Sequence, residues 1–369
     1  MKNFKTLIIS LFIVLLLSSS AQAEEKLIFA VTVTRHGDRT PFARIKSEKF
    51  KYNWQLGLGE LTPEGIHQHY LLGKELRARY IEKYGLLPSS YDNSTFYALS
   101  TDTNRTIMSA QSFLTGFYPP GTGPLLKNGE SALPYALQTV PIRTLSDKDY
   151  NFIMPERSDP ERHATILQQH VFTWKTWKDE DEKHRKDYKR WSKSLGLEIN
   201  SLYDLLICGD HLNCMKIHQI PFPDGLSSED AETIMETRTR ACALRFMPKP
   251  MAYFTAGPFL KKLCQDIQSA SSGKMTYKYI LYSGHDDSLL GLMSALDAPL
   301  SENPPYASHI DFELYQDDSK YSVKIFFNGN PVKMKGDKTV FSLNEFMDII
   351  NPCIESEKQT ESCRALRVY

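Results

Sequence analysis

Two arginines flank one histidine in Arg35-His36-Gly37-Asp38-Arg39-Thr40-Pro41, and these residue types suit a phosphate ester. Guanidinium groups are planar, permanently charged donors that match phosphate oxygens. A histidine among them is driven toward its neutral form, which is the nucleophilic one. The same residue types also suit a solvated turn, so their position has to decide. The stretch follows Leu27 to Thr34, an apolar run that reads as a buried strand. Gly37 and Pro41 then punctuate a turn. The carboxyl end of a strand in an open α/β sheet is where such sheets bind ligands.

Two further segments supply partners. Thr101-Asp102-Thr103-Asn104-Arg105-Thr106 follows a short strand, Thr95 to Ser100, and opens a helical pattern toward Phe113 and Leu114. Asp102 or Thr103 is placed to cap that helix, so its first amides and Arg105 would face an anion. Tyr279 to Ser283 reads as a third strand, ending in Gly284-His285-Asp286-Asp287. Three strand ends would then deliver a nucleophile, cationic clamps and a proton donor to one rim, the parts of phosphoryl transfer.

With these residues in view, the chain resembles the histidine acid phosphatases, branch 2 of the histidine phosphatase superfamily. Arg35 to Pro41 matches the family's R-H-G-x-R-x-P motif. Thr101 to Ala110 matches T-D-x-x-R-T-x-x-S-A, and His285-Asp286 matches its His-Asp pair. Leu61 to Gly65, Phe117 to Pro120 and Pro304 to Ser308 also fit, and the likeness runs from about residue 25 to about 350. The resemblance implies a phosphohistidine formed on His36. It implies phosphate binding by Arg35, Arg39, Arg105 and His285, and proton donation to the leaving group by Asp286. Asp287 departs from the pattern, where Thr is usual, and is read as a helix N-cap. Asp38 is read as orienting an arginine.

Beyond the three motifs, Leu61-Thr62-Pro63-Glu64-Gly65 should start a helix, with Thr62 at N-cap and Pro63 at N1. His67 and His69 lie on it two residues apart. They cannot share a ligand on a helix and are read as structural. Residues 24–140 and 251–369 alternate strands and helices and form the expected core. Residues 141–250 carry charged helical stretches with Trp174, Trp177 and Trp191 and form a helical cap insertion. Lys178 to Arg190 should be a solvated helix face. In the second core segment a helix is expected from Pro258 to Ser269. Ile310 to Tyr315 and Tyr321 to Phe327 are expected as a hairpin, Asn328-Gly329 as a turn, and Leu343 to Ile350 as a closing helix. The fold class is α/β: an α/β/α sandwich around a mainly parallel mixed sheet, with the helical cap inserted.

Residues 1–23 read as a secretory signal peptide. Lys2 and Lys5 precede an apolar run from Leu7 to Leu17, and Ala21-Gln22-Ala23 fits a cleavage site. The run is shorter than the roughly 20 residues that span a bilayer. The expected location is periplasmic or secreted, with no membrane attachment after cleavage. Removing Lys2 and Lys5 leaves 42 basic side chains against 44 acidic ones, a net charge of −2. That balance argues against a nucleic-acid partner. Oligomeric state stays open, a homodimer included. Six cysteines follow the leader, Cys208, Cys214, Cys242, Cys264, Cys353 and Cys363. An even count in an exported chain favours disulfides. Short loops suggest Cys208–Cys214 and Cys353–Cys363, which leaves Cys242–Cys264.

The expected reaction is acid phosphomonoester hydrolysis of small molecules, broad in substrate and needing no metal or cofactor. Neutral His36 would attack, one ring nitrogen held by a backbone carbonyl such as that of Gly37. Protonated His285 and the arginines would neutralise the phosphoryl oxygens. Phe42, directly after the phosphate loop, would touch a flat or apolar leaving group. A phytase on the same fold is the nearest alternative, disfavoured by the absence of an extra Lys/Arg cluster beside the motifs. A non-catalytic phosphate-binding protein is disfavoured because His36 and Asp286 are both present. A metal-dependent hydrolase using Gly284 to Asp287 lacks a second ligand cluster.

Overall fold

The computed structural model describes residues 25–145 and 151–365, with side chains as far as residue 356. The expected signal peptide lies outside the described residues. Eight strands are present among those described: β1 (Lys26–Arg35), β2 (Phe96–Thr101), β3 (Arg143–Leu145), β4 (Tyr279–Gly284), β5 (His309–Asp317), β6 (Lys320–Phe327), β7 (Asn330–Pro331) and β8 (Val340–Ser342). The α-helices are α1 (Pro63–Arg77), α2 (Asn104–Phe117), α3 (Pro155–Ser158), α4 (Pro160–Ile166), α5 (Lys175–Leu195), α6 (Leu205–Ile217), α7 (Ser228–Leu244), α8 (Lys249–Ser271), α9 (Asp286–Ala295) and α10 (Leu343–Ala365).

The strands form one sheet in the order β3-β2-β4-β1-β5-β6-β7, with β8 also on β6. The half that runs from β3 to β1 is parallel throughout. β1 and β4 are buried almost end to end, as strands covered on both faces must be. β5 and β6 extend the sheet as the expected antiparallel hairpin. Asn328 and Gly329 both take positive φ and close the two-residue turn from β6 to β7.

Helices cover both faces. On one, Leu72, Leu76, Phe113 and Phe117 of α1 and α2 pack on Phe96 and Tyr279. On the other, Phe259, Leu263, Leu289 and Phe346 pack on Val31, Val33, Ile280 and Phe312. A third apolar cluster holds the cap, with Trp177, Trp191, Leu205, Leu212 and Ile234 gathered against Phe254 of α8 and Leu290 of α9. In α5 most of the charged run faces outward, while Trp177, Glu180, His184, Tyr188, Trp191 and Leu195 form the buried stripe, Glu180 pairing with Arg240 at 2.7 Å. Gly196 ends that helix in the left-handed region.

Several expectations change. β3 falls inside the stretch expected to be wholly helical. It is a three-residue edge strand with Arg143 and Thr144 exposed, too short and polar for an alternating pattern. α8 begins at Lys249, ahead of the expected Pro258, which sits inside the helix. The buried run Met251, Ala252, Phe254 and Thr255 carries the helix through that missing N–H.

The disulfide expectation also fails where it can be placed. Cys208 and Cys214 lie six residues apart on α6, a rise of about 9 Å. That exceeds the Cα separation a disulfide spans. Cys208 Sγ donates instead to the Asp204 carbonyl at 3.6 Å. Cys242 is buried in the cap cluster, whereas Cys264 faces Met347 Sδ at 3.4 Å beside the sheet, so these two do not pair. Loop length misleads when the loop is a helix. Cys353–Cys363 cannot be placed, because the Cys363 side chain lies outside the described residues.

Thr62 caps α1 as expected, its Oγ1 accepting from Gly65 N at 3.1 Å. The loop after β1 crosses the first turn of this helix at van der Waals distance. A Cβ on Gly65 would lie 2.2 Å from the Asp38 carbonyl oxygen, and one on Gly37 would lie 2.4 Å from that of Gly65. Glycine is required on both sides of the crossing. Gly65→Ala should therefore cost about 1–3 kcal/mol, as overpacking does, and should reduce kcat/KM by moving the loop. Urea midpoints and steady-state rates check this, and an unchanged midpoint would remove the steric argument.

Candidate active site

β4 is inserted between β1 and β2, so their carboxyl ends meet at a switch point of the sheet. The register sets Arg35 opposite Gly284 and Ser100 opposite Ser283. The loops that follow therefore leave from one level. They bring Arg35, His36 and Arg39, then Arg105, then His285 and Asp286 into one constellation.

His36 is buried, and its Nδ1 lies 2.8 Å from the Gly37 carbonyl oxygen. Nδ1 therefore carries the proton, and Nε2 is left to the cavity that His36 lines. Burial, then Arg105, Arg39 and Arg35, hold its pKa well below the ordinary histidine value. The imidazole is neutral. His285, the N-cap of α9, places Nε2 2.9 Å from Thr101 Oγ1 and receives Arg105 at Nδ1 at 3.3 Å. An acceptor at Nδ1 makes this ring neutral too, and burial with Arg105 and Arg157 lowers its pKa strongly. The expected protonated His285 is thus corrected: burial, and then the neighbouring guanidiniums, disfavour a further proton.

Arg35 reaches the Pro304 carbonyl, pairs with Asp286 Oδ2 at 3.2 Å and stacks 4.3 Å over the Tyr306 ring. Asn303 Nδ2 donates to the same carboxylate at 2.9 Å. Burial by itself would raise the Asp286 pKa, but Arg35, Arg238 and Arg39 outweigh it and hold the carboxyl well below its usual range. Arg39 makes a two-pronged contact with Asp210 at 3.0 and 3.1 Å, and Arg238 shares that carboxylate at 3.1 Å. Breaking a buried pair of this kind costs about 3–5 kcal/mol. Phe42 N also donates to Asp210, at 3.2 Å.

The cavity over this floor measures about 270 Å³. Arg39, Arg105, His36, His285 and Asp286 line its base, while Met154, Tyr203, Leu206 and Ile207 face them from the cap side. Phe42, 44% exposed, stands at the mouth 5.4 Å from the Arg39 guanidinium.

The structure changes three local readings. Asp287 does not cap α9, because His285 holds that position; it pairs with Arg245 of the cap at 3.0 Å. Among the described residues Asp38 pairs with no arginine: its Oδ2 accepts from Thr62 Oγ1 at 2.5 Å and so fixes the start of α1. The missing Lys/Arg cluster is present, as Arg238 and Arg245 on the cap. They lie seven residues apart around α7, a spacing that puts both on one helix face and was the readable signal. Asp210, inside an apolar helix, and Asn303, in a loop, gave none. His69 is buried with Nε2 2.9 Å from the Arg35 carbonyl, a supporting place that agrees with a structural role.

The sequence profile described as "Histidine phosphatase superfamily (branch 2)" matches residues 26–328, and the chain belongs to this family. It is a phosphomonoester hydrolase of the acid phosphatase kind. It is 30% identical to the prostatic acid phosphatase of Rattus norvegicus over 361 residues, covering 92% of this chain and 90% of that protein. With the lysosomal acid phosphatase of Homo sapiens it shares 28% over 346 residues, 90% of this chain and 79% of the relative. Among solved structures, the Hafnia alvei phytase in complex with tartrate superposes with a TM-score of 0.65. That match covers 90% of this chain and 98% of the phytase at 14% identity. At that identity the match establishes the α/β fold alone.

Glu156 on α3 is half-buried overall, but both of its carboxyl oxygens are buried near the Asp287 charge, and neither has a hydrogen-bond partner from another described residue. Burial first, then Asp287, pushes its pKa up to about 8. A raised carboxyl contributes stability that is complete below its unfolded value and is lost as pH rises toward 8. Glu156→Gln cannot ionise. Its melting temperature relative to wild type should therefore climb between pH 5 and pH 8. A difference that stays constant across this range would show that Glu156 ionises freely.

Proposed function

We propose that this phosphatase works through a phosphohistidine on His36 Nε2, with Asp286 as proton donor and then as base. The supporting observation is the fixed tautomer: the Gly37 carbonyl holds the Nδ1 proton and leaves a bare nitrogen on the cavity floor. A neutral nucleophile suits a phosphate dianion, which would repel an anionic one. Attack forms the N–P bond as the P–O bond to the leaving group breaks. Arg35, Arg39 and Arg105 take up the charge on the three nonbridging oxygens, joined by His285 once the bound dianion draws a proton onto its Nδ1. The cation left on His36 is steadied at Nδ1 by the same carbonyl.

Asp286 is ionised at rest because arginines surround it. A bound phosphate dianion offsets those charges and lifts the carboxyl toward protonation, so acidic pH favours the loaded form. The proton passes to the leaving oxygen as the bond opens. Water then attacks the phosphohistidine, and Asp286 accepts its proton.

The substrates are small phosphate monoesters with flat or apolar leaving groups. Phe42, Tyr203 and Ile207 form the rim, and Met154 and Leu206 lie deeper. The phytase alternative needs several unengaged cations around one ring. Arg238 and Arg245 are already held by Asp210 and Asp287, which favours one phosphate per visit. A lumenal, periplasmic or secreted setting fits the leader-like residues 1–23. Among the described residues no helix is long and apolar enough to cross a membrane.

Three variants test this reading. His36→Ala should form no phosphoenzyme after an alkaline quench. Asp286→Asn should lose about 10²–10⁴-fold in kcat on alkyl phosphates and much less on p-nitrophenyl phosphate, whose leaving group needs little protonation. Equal losses on both would refute Asp286 as the acid. Phe42→Ala should raise KM for aryl esters more than for glycerol phosphate; matching changes would take the leaving-group contact away from Phe42.

A further inference from the structure

On the far side of the phosphate loop from the cavity, Asp38, Glu64 and His218 bring one ligand atom each within 4.8 Å of one another. They come from separate elements. Asp38 is in the loop after β1, Glu64 is in the first turn of α1, and His218 is the residue that ends α6 of the cap. Asp38 is fully buried, and its Oδ1 has no hydrogen-bond partner among the described residues. His218 Nε2 is likewise buried without one, although it lies 2.9 Å from Asp38 Oδ2. The two atoms are close, yet the imidazole is not aimed at the oxygen as a donor. A buried carboxylate and a buried ring nitrogen, each short of a partner and converging with a second carboxylate, lack a shared cation.

We propose that this cluster is a binding site for a divalent transition-metal ion, zinc being the best fit. One imidazole nitrogen and two carboxylate oxygens suit zinc, with water as the fourth ligand. Magnesium and calcium prefer oxygen alone, so the histidine selects against them. The supporting contacts are in place. Thr62 Oγ1 orients the Asp38 carboxylate, and the Trp54 ring meets His218 edge-on at 5.6 Å. Glu64 is exposed and provides the way in.

The site is not catalytic. Neither His218 nor Glu64 lines the substrate cavity, and no step of hydrolysis passes through it. Its ligands instead bridge the core and the cap. α6 already grips the phosphate loop at Asp210–Arg39, and a metal at Asp38–His218 ties the end of that helix to the same loop. The bound ion would lock the cap over the core.

The test uses the full enzyme stripped with chelator and then titrated with zinc chloride, read by calorimetry and by melting temperature. One zinc should bind per chain and raise the melting temperature. Glu64→Gln, an exposed change that leaves the fold intact, and His218→Gln should each weaken binding about 10–100-fold and remove the thermal shift. Cobalt in place of zinc should give a visible absorption band that changes in His218→Gln. Turnover of p-nitrophenyl phosphate by stripped enzyme should stay within about twofold of the zinc-loaded form. No saturable binding in wild type, or equal affinity in both variants, would overturn the site. A loss of turnover on stripping, restored by zinc, would overturn its non-catalytic standing.

Discussion

Arg39, Asp210 and Arg238 form the interaction on which the remaining arrangement depends. A phosphate site built from buried guanidiniums repels itself before any substrate arrives. Burial first, then Arg105 and Arg39, depress both histidines, so guanidiniums gathered this closely need anions among the side chains. Asp210 meets that need for Arg39 and Arg238 together, and Asp286 meets it for Arg35. Each carboxylate is held ionised by the charges it offsets. The clamp is thus preformed, its guanidiniums fixed by carboxylates, so a phosphate bound as proposed would meet it without collecting mobile side chains.

This charge balance explains why the cap is more than a cover. Asp210, Arg238 and Arg245 all belong to its helices, yet each faces the rim of the sheet. Core and cap are therefore joined by ion pairs at the chemistry as well as by Phe254 and Leu290 in the apolar cluster behind it. A change in how the cap sits would alter Arg39 before it altered the size of the cavity.

The parts that could be read from sequence were those governed by local rules. The buried strand before Arg35, the Thr62–Pro63 helix start, the β5–β6 hairpin and the Asn328–Gly329 turn each follow from neighbouring residues alone. So did the convergence of three motif-bearing strand ends, because a parallel sheet aligns its carboxyl ends. What stayed hidden depends on contacts between distant segments. Asp210 looks like any acid in an apolar helix until Arg39 is placed beside it. Asp38 and Asp287 took different partners from those expected because Thr62 and Arg245 come from other elements. The Cys208–Cys214 pairing fails for the same reason: chain separation says little about the direction of side chains on α6.

The position of β4 carries a consequence for biosynthesis. β1 and β2 are made early, but the strand that joins them begins only at Tyr279, after the whole cap. Until then the nascent chain holds two apolar strands with open edges, each ready to pair with another chain. Contacts of such long sequence separation form slowly. His285 and Asp286 follow directly on β4, so the strand that closes the sheet also delivers the last of the groups proposed to act on the phosphate ester. An incompletely folded chain is thus prone to aggregate and lacks the proposed proton donor at the same time.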